Sequence, residues 1–113
     1  QVLGITSEHE VHGLVDITGG GLRNLLRMKG GLQYVIDDPL RPAPVFGKIQ
    51  ELGGISDREM YQTLNMSMGF MIVAPEEEAE TIASEHGNAR IVGRVRRGSG
   101  VLLEPENILY EVY

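Results

Sequence analysis

The sequence predicts an α/β (α+β) fold, a layered domain with a mixed sheet of about four to six strands packed by helices. Three observations carry that prediction. Apolar runs of strand length alternate with segments of helical spacing. Glycine pairs, prolines and capping residues punctuate the joins. The chain has 113 residues, the size of one domain, and 42% are hydrophobic, enough to fold rather than stay disordered.

The elements follow in order. Val11 to Ile17 is an apolar run ending in Thr18 and Gly19-Gly20-Gly21, a strand feeding a tight turn. Leu22, Leu25 and Leu26 recur at helical spacing, so a helix begins in the glycines and stops at Gly30-Gly31. Leu32 to Ile36 is a second strand, closed by Asp37-Asp38-Pro39, and Pro39, Pro42 and Pro44 mark a loop. Val45, Ile49 and Leu52 stand at i, i+4 and i+7 before Gly53-Gly54, a helix with a glycine stop. Ser56-Asp57-Arg58-Glu59 is a capping box that starts another helix and carries Met60 and Leu64 inward. Phe70 to Ala74 is continuously apolar, as in a strand covered on both faces. Pro75 suits the first position of a helix, and Glu76, Glu77 and Glu78 complement its dipole. Ala79, Ile82 and Ala83 form its buried stripe, and Gly87 ends it. Arg90 to Arg96 is a further strand. Val101 to Leu103 and Ile108 to Val112 pair as a hairpin across Pro105-Glu106-Asn107.

Composition narrows the function. There is no cysteine, so no disulfide framework, thiolate chemistry or zinc knuckle, which fits a reducing compartment. The net charge of −6 is the wrong sign for a duplex-binding domain, so nucleic acid is disfavoured as a partner. No apolar run approaches the roughly 18 residues of a membrane span. Gln1 to Glu10 is mixed and polar, unlike a signal peptide, and reads as the tail of an element. The expectation is a piece of a longer polypeptide.

Asp16-Ile17-Thr18-Gly19-Gly20-Gly21 is the most informative stretch. A strand runs through glycines straight into a helix, whose first amides have no internal partners. A phosphate suits that place, and the competing reading is a tight turn that binds nothing. No Lys-Ser/Thr pair follows, and the third glycine is misplaced for a dinucleotide fingerprint. Asn24 and Arg27 share a helix face, either as ligand contacts or as a solvated surface. Tyr61 to Gly69 joins a helix to the next strand. There Asn65 suits a left-handed helix end, the simpler reading, and the alternative places Asn65, Ser67 and Gly69 at the edge of a pocket. Met60, Met66, Met68 and Met71 read as core filler. Met66 and Met68 are also candidates for the rim of an exposed apolar patch. His9, His12 and His86 show no ligand spacing, so no metal site is assigned. Asp37-Asp38 could hold magnesium, but a solvated turn is the simpler reading. Arg94, Arg96 and Arg97 fit a charged edge strand. No nucleophile–base pair is visible.

His12-Gly13-Leu14-Val15-Asp16-Ile17-Thr18-Gly19-Gly20-Gly21-Leu22 with Asn24 and Arg27 resembles the glycine-rich signature of aminoimidazole ribonucleotide synthetases. Pro44-Val45-Phe46, Ile49-Gln50, Gly53 and Glu59 to Phe70 resemble a second signature of that family, and Ile91 to Val95 a strand near its end. Order and spacing agree over roughly residues 11–97. Formylglycinamidine ribonucleotide synthetase, selenophosphate synthetase, thiamine-phosphate kinase and a hydrogenase maturation factor share the two-domain plan and the glycine turn, but not the Glu-Met-Tyr-x-Thr-x-Asn-Met segment.

The resemblance implies that residues 1–113 form a single carboxy-terminal domain, without the amino-terminal ATP-binding domain. The implied activity is that of an ATP- and magnesium-dependent cyclo-ligase of de novo purine biosynthesis, which converts formylglycinamidine ribonucleotide to aminoimidazole ribonucleotide. This domain would cover the cleft and supply the phosphate-binding turn (Thr18, Gly19, Gly20, Gly21, Asn24, Arg27). Asp16, Asn65, Ser67 and Gly69 would line the cleft. The implied enzyme is a cytoplasmic homodimer, and the lone domain is expected to be inactive and to hold no cofactor tightly. Two positions depart from the family. Many members have histidine at Asp16, and Gly-Val-Gly in place of Ser67-Met68-Gly69. A carboxylate accepts where a protonated histidine donates, so no histidine role transfers to Asp16. Rival readings are another member of the same superfamily or a stand-alone module binding a phosphorylated metabolite.

Overall fold

The computed structural model describes residues 12–17, 19–28, 30–87 and 89–111. Val11 and Thr18, which the sequence placed in the first strand and its turn, lie outside the described residues. The architecture is mixed α/β, as expected. Strand β1 (Gly13–Asp16) pairs antiparallel with β3 (Phe70–Val73) as a two-stranded ribbon. A separate sheet has the order β4-β2-β5-β6, with β2 at Leu32–Ile36, β4 at Gly93–Arg97, β5 at Val101–Leu103 and β6 at Ile108–Tyr110. It is mixed: β2 runs parallel to β5 and antiparallel to β4, and β5 and β6 form the expected hairpin. Left-handed Asn107 (φ 52°) turns that hairpin. Strand β4 is an edge, as its arginines predict.

The helix after the glycines is a 3-10 helix, Gly21–Arg27, rather than an α-helix. A side chain explains the tighter winding. Asn24 Nδ2 donates to the Gly21 carbonyl at 3.0 Å, the acceptor that an α-helix would offer to the residue four positions on. Helix α1 spans Pro44–Gly53 and stops at Gly54, whose φ of 61° is left-handed. Helix α2 spans Asp57–Thr63, where Ser56 Oγ accepts from the Glu59 N–H at 3.2 Å, as the capping box predicts. Helix α3 spans Glu76–Glu85, with Pro75 one step earlier than expected, at the N-cap.

The core lies where the 3-10 helix and α2 pack beside the ribbon and the four-stranded sheet. Ile17, Leu22, Leu25, Met60, Val101, Leu103 and Tyr110 are fully buried there. Two expectations fail. Strand β3 is covered on one face only: Met71 is buried while Phe70, which points to the opposite face, is exposed. Met66 and Met68 are buried core residues and rim no exposed patch. The exposed apolar side chains are instead Val45, Ile49 and Leu52 of α1, Leu14 and Phe70 of the ribbon, and Ile91 and Val95.

Candidate functional site

Strand alternation sets the first wall of the site. Val15 points into the core, so Leu14 and Asp16 point outward. An open cleft of about 270 Å³ lies on that side, lined by Leu14, Val15, Asp16, Asn24, Arg27 and Met28. The fold therefore brings Asp16, Asn24 and Arg27 together. Leu14 and Met28 are cleft residues the motif reading missed. The signal for Leu14 was its two-residue spacing from Asp16 in a strand.

The glycine turn is built by backbone conformation. Gly19, Gly20 and Gly21 all have positive φ, at 62°, 124° and 55°. Side chains rarely adopt that region, which is why three glycines stand in a row. Gly21 carries a second constraint. A Cβ there would lie 2.1 Å from the Tyr61 carbonyl oxygen and 2.9 Å from that of Leu64. The end of α2 thus packs directly on the start of the 3-10 helix. Arg23 Nε adds a bond of 3.2 Å to the Gln62 carbonyl at the same junction. Gly19 faces open space.

Asn24 is 6% exposed, and its amide nitrogen is turned onto the turn itself. Besides Gly21, it donates to the Ile17 carbonyl at 3.3 Å and the Gly19 carbonyl at 3.5 Å. The residue read as half of a ligand-facing pair is therefore a brace that shapes the loop. Arg27, on the same face, is exposed. Thr18 lies outside the described residues.

The second signature forms its own turn. Asn65 Oδ1 accepts from the Ser67 N–H at 2.9 Å, and the Asn65 carbonyl accepts from Met68 at 2.8 Å. The left-handed residues are Met66 (φ 48°) and Ser67 (φ 70°), where the sequence pointed to Asn65. The asparagine side chain holds its neighbours in that conformation instead of adopting it. Ser67 Oγ accepts from the Ala43 N–H at 2.9 Å and so ties this turn to the start of α1. Of the three, Gly69 comes nearest the glycine turn through the backbone, since its carbonyl accepts from the Ile17 N–H at 3.0 Å. None of Asn65, Ser67 and Gly69 lines the 270 Å³ cleft.

The remaining polar candidates are structural. Arg94 pairs with Asp37 and, at 3.5 Å, with Glu104, and Arg90 pairs with Asp38 at 2.5 Å. These pairs are exposed and contribute little stability. Among the described residues no three histidine or carboxylate side chains converge as metal ligands. No described helix is long and apolar enough to cross a membrane.

The family model described as AIR synthase related protein, C-terminal domain, matches residues 1–104. A phosphoribosylformylglycinamidine cyclo-ligase of Methanopyrus kandleri is 47% identical over 105 residues, which cover 90% of this chain and 30% of that protein. Proteins of the same name from Methanococcoides burtonii and Thermoplasma volcanium are 45% and 36% identical over 95 and 104 residues. Those matches cover 84% and 89% of this chain, and 28% and 30% of the relatives. The chain thus spans less than a third of the length of the relatives it matches.

Proposed function

We infer the function from one premise: the chain belongs to the AIR synthase related protein family and is its C-terminal domain. On that premise it is part of an ATP-dependent phosphoribosylformylglycinamidine cyclo-ligase of purine biosynthesis. The observation that carries this reading is 47% identity over 105 residues to a relative of that name. The enzyme would act in the cytoplasm as a homodimer, with an amino-terminal domain supplying most of the nucleotide site.

In this reaction ATP phosphorylates the formyl-derived oxygen of formylglycinamidine ribonucleotide, an amine of the substrate attacks, the imidazole ring closes and phosphate leaves. The protein's share of such chemistry is mainly positioning and charge stabilisation. In this chain the work falls to the glycine turn. Positive φ at Gly19 and Gly20, and open space where a Gly19 side chain would stand, let a ligand come close to the main chain. The Asn24 amide fixes the turn's carbonyls inward. Arg27 on the cleft wall supplies positive charge near a phosphorylated ligand, and Asp16 borders the same space. Magnesium bound with a nucleotide is usually held by one or two carboxylates together with the phosphates, and this reading names no residue of this chain as its ligand.

The test is turnover of ATP with formylglycinamidine ribonucleotide by the full-length polypeptide, followed by titration of the phosphorylated substrate into a Gly19→Ala variant. The reading expects turnover, and weaker substrate affinity in the variant. Absence of ring closure by a folded full-length protein overturns the activity. Unchanged affinity returns the loop to a turn that binds nothing.

A further inference from the structure

Helix α1 presents its apolar stripe to solvent. Val45 is 56% exposed, Ile49 40% and Leu52 76%, and the helix contributes no buried residue. It is held through Phe46, which is packed against the core, as is Ile55 just beyond the helix. A ten-residue helix is marginal on propensity alone and takes most of its stability from packing an apolar face. This stripe has the i, i+4, i+7 spacing of a packed face and nothing described in the chain against it.

We propose that the Val45–Ile49–Leu52 stripe is the surface on which the remainder of the longer polypeptide docks. The proposal rests on the reading of the chain as the carboxy-terminal part of a larger protein. Two arguments select that occupant. The chain accounts for only 30% of the length of the Methanopyrus kandleri relative, so the larger part of such a protein is available to cover it. A second copy is a poor alternative. A ten-residue helix is about 15 Å long, and two such stripes bury far less than the roughly 1,200 Å² of a stable interface between separate molecules. A tethered domain needs less area, because the linker holds its effective concentration near the millimolar range. Position supports the same choice. The bond from Ala43 to Ser67 anchors the start of α1 to the turn that leads into exposed Phe70, so a neighbour resting on α1 would be held close to the ribbon and its cleft.

The chain contains no cysteine, which makes thiol labelling a clean probe. Leu52→Cys and, separately, Val45→Cys are introduced into the full-length polypeptide. Labelling is followed by peptide mass spectrometry, natively and in denaturant. Docking predicts that both positions label at least roughly tenfold more slowly in the native protein than in the unfolded one. Native labelling at the unfolded rate overturns the proposal. So does protection that disappears on dilution, which would identify a second copy as the occupant. The underlying reading fails separately, through the mass of the natural polypeptide, if no further domain accompanies this chain.

Discussion

The backbone N–H of Ile17 donates to the carbonyl of Gly69 at 3.0 Å, and this bond joins the two signature segments of the chain. Ile17 is fully buried, and its own carbonyl receives the Asn24 side chain. The glycine turn is thus suspended between the ribbon on one side and a buried amide on the other.

Asn24 should therefore matter first for stability. Asn24→Leu removes the donor to Ile17 and Gly21 and leaves buried carbonyls unsatisfied, at a cost of about 1–3 kcal/mol. Urea unfolding of both proteins reads it. Equal midpoints would show that solvent reaches those carbonyls.

The glycines should separate by their surroundings. Gly19→Ala meets only the strain of a left-handed alanine, about 1 kcal/mol, because the space beside it is open. Gly21→Ala has the same backbone strain, and its methyl group also strikes the Tyr61 carbonyl. Two elements must then move apart, which costs several times more, on the order of 3 kcal/mol or above. Thermal melts of the two variants should rank in that order, and the reverse order would refute the close contact of α2 with the turn.

Local chemistry was the legible part of the fold. Ser56 capped its helix and Gly54 stopped another, because caps act within a few residues. Strand pairing was not legible. The apolar run at Phe70 gives no sign that only β1 would lie beside it, since partners are chosen across the whole chain. Periodicity in α1 announced an apolar stripe without saying which surface would meet it. For the candidate site, the residue types were legible and the directions of their side chains were not. Asn24 was read as a ligand contact or a solvated surface residue, and it is buried against the turn's own carbonyls.

Catalysis should need the rest of the polypeptide. The cleft beside Asp16 and Arg27 is open, and this chain spans less than a third of its relatives' length. The 113-residue chain alone is expected to show no ATP turnover with formylglycinamidine ribonucleotide. Adding the amino-terminal domain in trans should restore a measurable rate. Robust turnover by the chain alone would place the reaction in this domain.

Stability should fall at high pH, and Tyr110 sets the window. Burial pushes its hydroxyl up from the ordinary 10.0 to about 12, with Arg58 and Arg23 offsetting part of that rise. Burial raises Tyr34 and Tyr61 as well. In the unfolded chain these phenols lose their protons near pH 10, while the folded protein keeps them. Between pH 10 and about 12 the unfolded state binds fewer protons, so stability decreases as pH rises and is fully present below pH 10. Tyr110 also donates to the Arg58 carbonyl at 2.6 Å, while the Arg58 guanidinium lies 5.0 Å from the ring centre. Tyr110→Phe loses that hydrogen bond, about 1 kcal/mol at neutral pH. The variant lacks the titrating group, so its stability should decline less, and its deficit relative to the parent should shrink from pH 10 upward. Urea midpoints of both proteins from pH 7 to pH 12 measure the gap. A gap that stays constant across that range would show that the Tyr110 proton is not linked to folding.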